Sequence, residues 1–239
     1  MGEAEKHLAD VCKGMRKVVH KHEPFPHKFE TKNDPYRALV RAVVYQQLSG
    51  KAAATILGRV VALFPDKDFP EPEELLNADP TLLRGAGLSR QKTAALKDIA
   101  QKRIDRIIPP AKALHKLSDD EIIERLSAAR GVGRWTVEMY LIFTLGRPDV
   151  LPIDDLGVRK GAESMFKRDF TPKELGAFGE RWAPHRSAAA WHLWRLADTL
   201  TPDRSAAVKK AAKKGKPAPK KAAKVVKTAK ARKAKKKAR

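Results

Sequence analysis

The chain has 239 residues, enough to bury one sizeable core or two small ones, and carries a formal net charge of +22. The charge is lopsided: residues 201–239 hold 17 Lys or Arg against Asp203 alone, whereas residues 1–200 hold 33 basic and 27 acidic residues. The single cysteine, Cys12, excludes an internal disulfide and a four-cysteine iron–sulfur cluster, and no apolar window reaches signal-peptide or membrane-span length. Such a balance implies a polyanionic partner, because Lys and Arg that neutralise phosphates release condensed counterions. A soluble, cytoplasmic protein is expected, with no membrane contact.

Apolar residues recur at helical spacing and alternating β-branched runs are nearly absent, so the body is expected to be all-α. A first helix is predicted over about 4–21, ended by the prolines of His22–Phe29. A second covers about Pro35–Gln47, and a third about Lys51–Phe64 after the break Leu48-Ser49-Gly50. Shorter helices are predicted near 73–77 and 79–84, and longer ones over 89–107 and 118–129. Ser89 and Ser118 are the N-caps, Ser118 with Glu121 at capping-box spacing. Helices over 133–145 and 155–167 flank the loop Gly146–Ile153, and two more fit 171–181 and 186–199. After Thr201 the composition turns to Lys, Ala and Pro with no aromatic residue, so residues 1–204 are read as the folded domain and 205–239 as a disordered basic tail.

The stretch Arg130-Gly131-Val132-Gly133-Arg134-Trp135-Thr136 joins two helices by two glycines around an apolar plug. Such a turn presents backbone N–H groups at a helix N-terminus with no side chain in the way, and a phosphate can dock there without sequence readout. A plain αα turn would look the same. About twenty residues on, Pro152-Ile153-Asp154-Asp155-Leu156-Gly157 delivers two acids to the start of a helix, where either can serve as N-cap.

With Tyr45-Gln46-Gln47-Leu48-Ser49-Gly50-Lys51, Leu83-Arg84-Gly85-Ala86-Gly87-Leu88 with Lys92 and Ala95, and Arg181-Trp182 before Pro184-His185-Arg186-Ser187, the ordered set resembles the helix-hairpin-helix, Gly/Pro-loop, Asp superfamily of DNA glycosylases. Within it the chain is similar to the 3-methyladenine glycosylase II branch. The resemblance covers most of residues 35–200 and implies two helical subdomains with the active-site cleft between them. It implies monofunctional hydrolysis of the N-glycosidic bond of alkylated purines, chiefly 3-methyladenine and 7-methylguanine, in double-stranded DNA, the first step of base excision repair. No cofactor or metal is implied, and a monomer is expected.

Residue by residue, the resemblance makes Asp155 the catalytic acid. A fixed carboxylate stabilises the oxocarbenium character that the sugar gains as the bond breaks, and it can orient water. Where the strand-nicking branch has a lysine nucleophile after Gly-x-Gly-Arg, this chain has Trp135, which implies a water-mediated reaction. Trp135, Met139 and Trp194 match pocket positions, Met139 replacing a tyrosine. Gln47 or Leu48 matches the gap-filling wedge, and Ser49, Gly131, Val132, Gly133, Arg134 and Thr136 the DNA contacts. Trp182 and Trp191 read as core packing. His20, His22 and His27 read as solvated rather than as metal ligands. The tail would add nonspecific DNA affinity. Two alternatives stay open: a glycosylase for deaminated, etheno or oxidised bases, and a non-catalytic DNA-binding nucleoid protein.

Overall fold

The computed structural model describes residues 1–26, 34–65 and 67–200; His27 and the expected boundary between residues 204 and 205 lie outside them. Among the described residues are thirteen α-helices, one 3-10 turn and no strand, and none of the helices is long and apolar enough to cross a membrane. Met1–Asp198 form one compact unit.

The chain runs through α1 (Glu3–Val11), α2 (Lys13–Arg16), α3 (Pro35–Tyr45), α4 (Gly50–Val61), α5 (Pro72–Asn77), α6 (Pro80–Gly85) and α7 (Arg90–Ile104). It continues with α8 (Ala111–Leu114), α9 (Asp119–Ser127), α10 (Arg134–Phe143), α11 (Leu156–Phe166), α12 (Pro172–Gly179), the 3-10 turn Glu180–Trp182 and α13 (Arg186–Leu200). Local chemistry sets many of the starts. Asp34 and Asp79 cap α3 and α6 by accepting from Tyr36 N and Thr81 N, each ahead of a proline at the first helical position. Ser118 and Thr171 open α9 and α12 with complete capping boxes to Glu121 and Glu174.

The core is one continuous cluster. The buried stripe of α3 (Leu39, Val40, Val43, Val44) meets that of α7 (Leu96, Ile99, Ala100), and α7 also packs on α5 and α6. Helix α10 packs against α9 and α3 through Val137, Tyr140 and Leu141. Trp182 is fully buried, and Trp191 packs edge-on against Phe25 and Phe143, as expected of core aromatics.

Three expectations are corrected. The first helix does not run unbroken through 4–21: Cys12 is extended (φ −145°, ψ 111°), and the chain restarts as α2. The restart puts Gly14 against α11, where a Cβ would lie 2.8 Å from Met165 Sδ and 2.9 Å from Phe166 Cε1. Tertiary contact thus overrides an unbroken helical pattern. Helix α8 was not foreseen; four residues after Pro109-Pro110 carry no periodic signal, although Leu114 is fully buried. His22 is not a solvated side chain, since its ring stacks at 6.1 Å on His192, which is fully buried beside Glu5 (Nε2–Oε1 3.7 Å). Burial drives both imidazoles below their ordinary pKa, so they pack as neutral rings.

Candidate active site and nucleic-acid interface

Between α9 and α10 the chain turns at Gly131, in the left-handed region (φ +77°), passes the buried Val132 and enters α10 from Gly133. A Cβ at Gly131 would also meet Ala95 Cβ at 3.2 Å, so this glycine serves the turn itself. Gly133 is ordinary extended backbone, and a Cβ there would meet nothing within 4 Å. No side chain caps α10. The first N–H groups of the helix therefore face an open approach that suits an anion. Arg134 extends from the first turn, whereas Thr136 is buried beneath it, its N–H donating to Gly133 O at 2.9 Å.

Asp155 is the N-cap of α11; Asp154 beside it is exposed and does not cap. Asp155 Oδ1 accepts from Val158 N at 2.9 Å and from Trp194 Nε1 at 2.7 Å, and Oδ2 accepts from Trp135 Nε1 at 2.6 Å. One carboxylate thus ties the hairpin helix, α11 and α13 together. The loop that delivers it is pinned by the first turn of α13. Arg186 clamps Asp149 through Nε (2.8 Å) and Nη2 (2.9 Å), Ser187 Oγ donates to Arg147 O, and Ser187 Oγ accepts from Val150 N. Burial alone would raise the Asp149 carboxyl, but the Arg186 hydrogen bonds outweigh it and hold the group below its usual range.

A cleft of about 960 Å³ opens between α3 and α10. Trp135, 46% exposed, and Met139 one turn later form its α10 wall with Tyr140 and Phe143. Opposite stand Arg37 and Arg41 of α3, their guanidiniums over Phe69 (5.3 Å) and Tyr45 (4.3 Å). Trp194 is not among the residues that line this cleft; its ring packs against Phe143 at 5.6 Å and its N–H donates to Asp155. Asp155 likewise lies at the indole edge of Trp135 rather than in the cleft wall. The turn after α3 borders the cleft: Gln47 is left-handed (φ +57°) and exposed, Leu48 is 40% exposed, and Ser49 caps α4. Gln46 Nε2 donates to Gly131 O at 2.9 Å and so joins this turn to the hairpin.

Arg37, Arg41 and Phe143 escaped the sequence reading; Arg37 and Arg41 stand four apart on α3, a spacing that hints at a shared face. So did Glu138, one turn after Arg134 and 2% exposed, with Oε1 3.0 Å from Arg134 Nε and Oε2 lacking a hydrogen-bond partner. Burial pushes its carboxyl above the usual range, Arg134 opposes that only in part, and Asp154 and Asp155 add to it. A raised folded-state pKa contributes stability that is complete below the unfolded pKa and lost as pH rises through the folded one. Glu138→Gln is therefore expected to raise the thermal midpoint at neutral pH, with a gain that shrinks as pH falls toward the ordinary glutamate range and is gone below it; melting curves across pH measure it.

Residues 40–184 match the family model of the HhH-GPD superfamily of base excision DNA repair proteins, and the chain belongs to that superfamily. DNA-3-methyladenine glycosylase 1 of Schizosaccharomyces pombe is 40% identical over 207 residues, covering 84% of this chain and 91% of that protein. Within the superfamily the chain falls in this DNA-3-methyladenine glycosylase branch. A solved structure of the 3-methyladenine DNA glycosylase from S. pombe in complex with abasic DNA superposes with a TM-score of 0.71 at 39% identity, over 81% of this chain and 96% of that one. A DNA-3-methyladenine glycosidase from Bacillus halodurans superposes with a TM-score of 0.74 at 30% identity, over 83% and 91%.

Proposed function

We propose that this protein hydrolyses the N-glycosidic bond of alkylated purines in double-stranded DNA and leaves an unnicked abasic strand. The observation that carries the reading is the Asp155 carboxylate, fixed by two indole N–H groups and one backbone N–H at the edge of the aromatic wall of a cleft. The hairpin N–H groups and Arg134 hold a phosphate, the turn at Gln47-Leu48 fills the gap in the stack, and the everted base lies against the exposed face of Trp135. Alkylation at a purine ring nitrogen leaves the base electron-poor, which strengthens stacking on an indole and weakens the bond to the sugar. Asp155 stabilises the oxocarbenium-like sugar, and water completes the reaction, since the position after Arg134 carries an indole and no amine. The abasic DNA held by the S. pombe relative supports DNA as the partner.

Incubation with methylated duplex DNA tests the proposal: free 3-methyladenine and 7-methylguanine with intact abasic strands are expected. Nicking through a trapped covalent adduct would overturn it. A second reading, in which neutral modified bases are also excised, is favoured by the guanidiniums of Arg37 and Arg41, which repel a cationic base. Release of hypoxanthine or ethenoadenine in the same assay decides between a narrow and a broad range.

The hairpin assignment yields a sharper expectation. Gly133→Ala meets no clash in the free protein, so its thermal midpoint should fall only by the modest cost of Ala in place of Gly at a helix N-cap, while the new methyl stands where a phosphate approaches and weakens binding of undamaged duplex. Equal DNA affinity in a titration would move the phosphate grip elsewhere. The 17 basic residues of 201–239 are proposed to add a sequence-independent hold on DNA. Deleting 205–239 is expected to flatten the dependence of affinity on log salt and to leave single-turnover excision at saturating enzyme intact.

A further inference from the structure

The turn after α3 and the hairpin turn before α10 rest on one face of α7. Lys92, Ala95 and Asp98, spaced by three, form that face. Lys92 Nζ donates to Val44 O at 2.8 Å and to Gln46 O at 2.7 Å, where α3 ends. Ala95 is the residue a Cβ on Gly131 would strike, and Asp98 Oδ2 accepts from Arg130 N at 2.7 Å. The Gln46–Gly131 hydrogen bond closes the triangle around a second cavity of about 380 Å³.

An ammonium at the end of α3 satisfies carbonyls that have no intrahelical donor and complements the negative pole of the helix. Its two acceptors lie immediately before the reversal at Gln47, a left-handed residue with a side chain, which persists only where its surroundings hold it. Burial lowers the Lys92 pKa, as expected where these hydrogen bonds are partly shielded from water. A wedge and a phosphate grip serve one nucleotide only if the distance between them is fixed, and α7 is the element that both turns touch.

We propose that Lys92 is a positioning residue for base eversion, setting the Gln46–Ser49 turn in register with the hairpin so that both act on the same nucleotide. The inference rests on the glycosylase reading above. It applies to the step before bond cleavage and involves no contact of Lys92 with the base or the sugar.

The test uses the full chain as wild type, Lys92→Met, Lys92→Arg and Gln46→Ala. Wedge insertion is read without chemistry from the fluorescence of 2-aminopurine beside an abasic-site analogue in duplex DNA. Excision is read in single turnovers on 7-methylguanine, either fully paired or opposite an abasic site where eversion costs little. Lys92→Met is expected to lose most of the fluorescence change and to slow excision from the paired duplex roughly 10- to 100-fold, the scale of a misplacement of about 1 Å. Excision of the unpaired lesion should slow less than about threefold, because the pairing cost is absent there. Lys92→Arg should restore much of both signals. Gln46→Ala, which cuts the tie to the hairpin from a half-buried side chain, should shift both signals in the same direction and keeps the test open if Lys92→Met fails to fold. Unchanged fluorescence, or equal slowing on both substrates, would overturn the proposal; a wild type that inserts its wedge but releases no base would instead sink the glycosylase reading.

Discussion

Asp155→Asn is expected to give a folded protein that binds an abasic-site duplex and releases methylated bases roughly a hundred- to a thousandfold more slowly than the wild type, the scale of losing a preorganised electrostatic group. The fold should survive because the amide oxygen can keep both bonds now made to Oδ1, from Val158 N and Trp194 Nε1. Asn and Asp are near-equal as N-caps. What is lost is the charge, together with the Oδ2 acceptor, since the new NH2 group faces the Trp135 N–H donor to donor. Asp155→Ala should add a stability loss of about 1 kcal/mol from the missing cap, which separates the two roles of one side chain. Thermal midpoints, binding of the abasic analogue and single-turnover base release together make the measurement. An Asn variant retaining a sizeable fraction of the wild-type rate would reduce Asp155 to a helix cap.

That duality marks how far the sequence could be read. Residue pattern left Asp154 and Asp155 equal as caps, and resemblance chose Asp155 for catalysis; the structure gives Asp155 the cap and the contact with Trp135 together, because its two oxygens face different ways. The helix starts at Asp34-Pro35, Ser89, Ser118 and Thr171-Pro172 were legible, or nearly so, because capping is settled within four residues. The hairpin was legible for the same reason, as Gly131 and Gly133 act through their own backbone.

Features decided between distant segments were not. The break at Cys12 answers to Met165 and Phe166, the Arg37 and Arg41 wall exists only because α10 lies across from it, and His22 meets His192 from the far end of the chain. Resemblance placed Trp194 in the base pocket without a partner; the structure adds that its indole N–H donates to Asp155 and its ring packs against Phe143. Arg186 and Ser187 were quoted as a motif without a role; their bonds to Asp149, Arg147 and Val150 make them the clamp on the loop that carries the acid.

Gly161→Ala is expected to lower stability by about 3 kcal/mol or more, the upper range for forcing a group into a packed core. For a body of this size that corresponds to a fall of roughly 6–12 °C in thermal midpoint. A Cβ at Gly161 would lie 2.7 Å from the carbonyl carbon of Leu193 and 2.9 Å from its Cα. These are backbone atoms of α13, which no rotamer change can move aside, so the two helices must separate. Trp194 is the next residue, and its N–H would be drawn away from Asp155. The loss should therefore appear twice, as a lower melting temperature and as slower excision in the fraction still folded. Gly157 supplies the control one turn earlier, because a Cβ there would meet side-chain atoms, Trp194 Cδ1 at 2.8 Å and Asp155 Oδ1 at 3.1 Å. Those groups can turn, so Gly157→Ala should cost less stability while still displacing the indole from the carboxylate. Calorimetry paired with single-turnover release distinguishes the two variants. If Gly161→Ala melts with the wild type, α11 and α13 do not touch there, and the geometry that presents Asp155 needs another support.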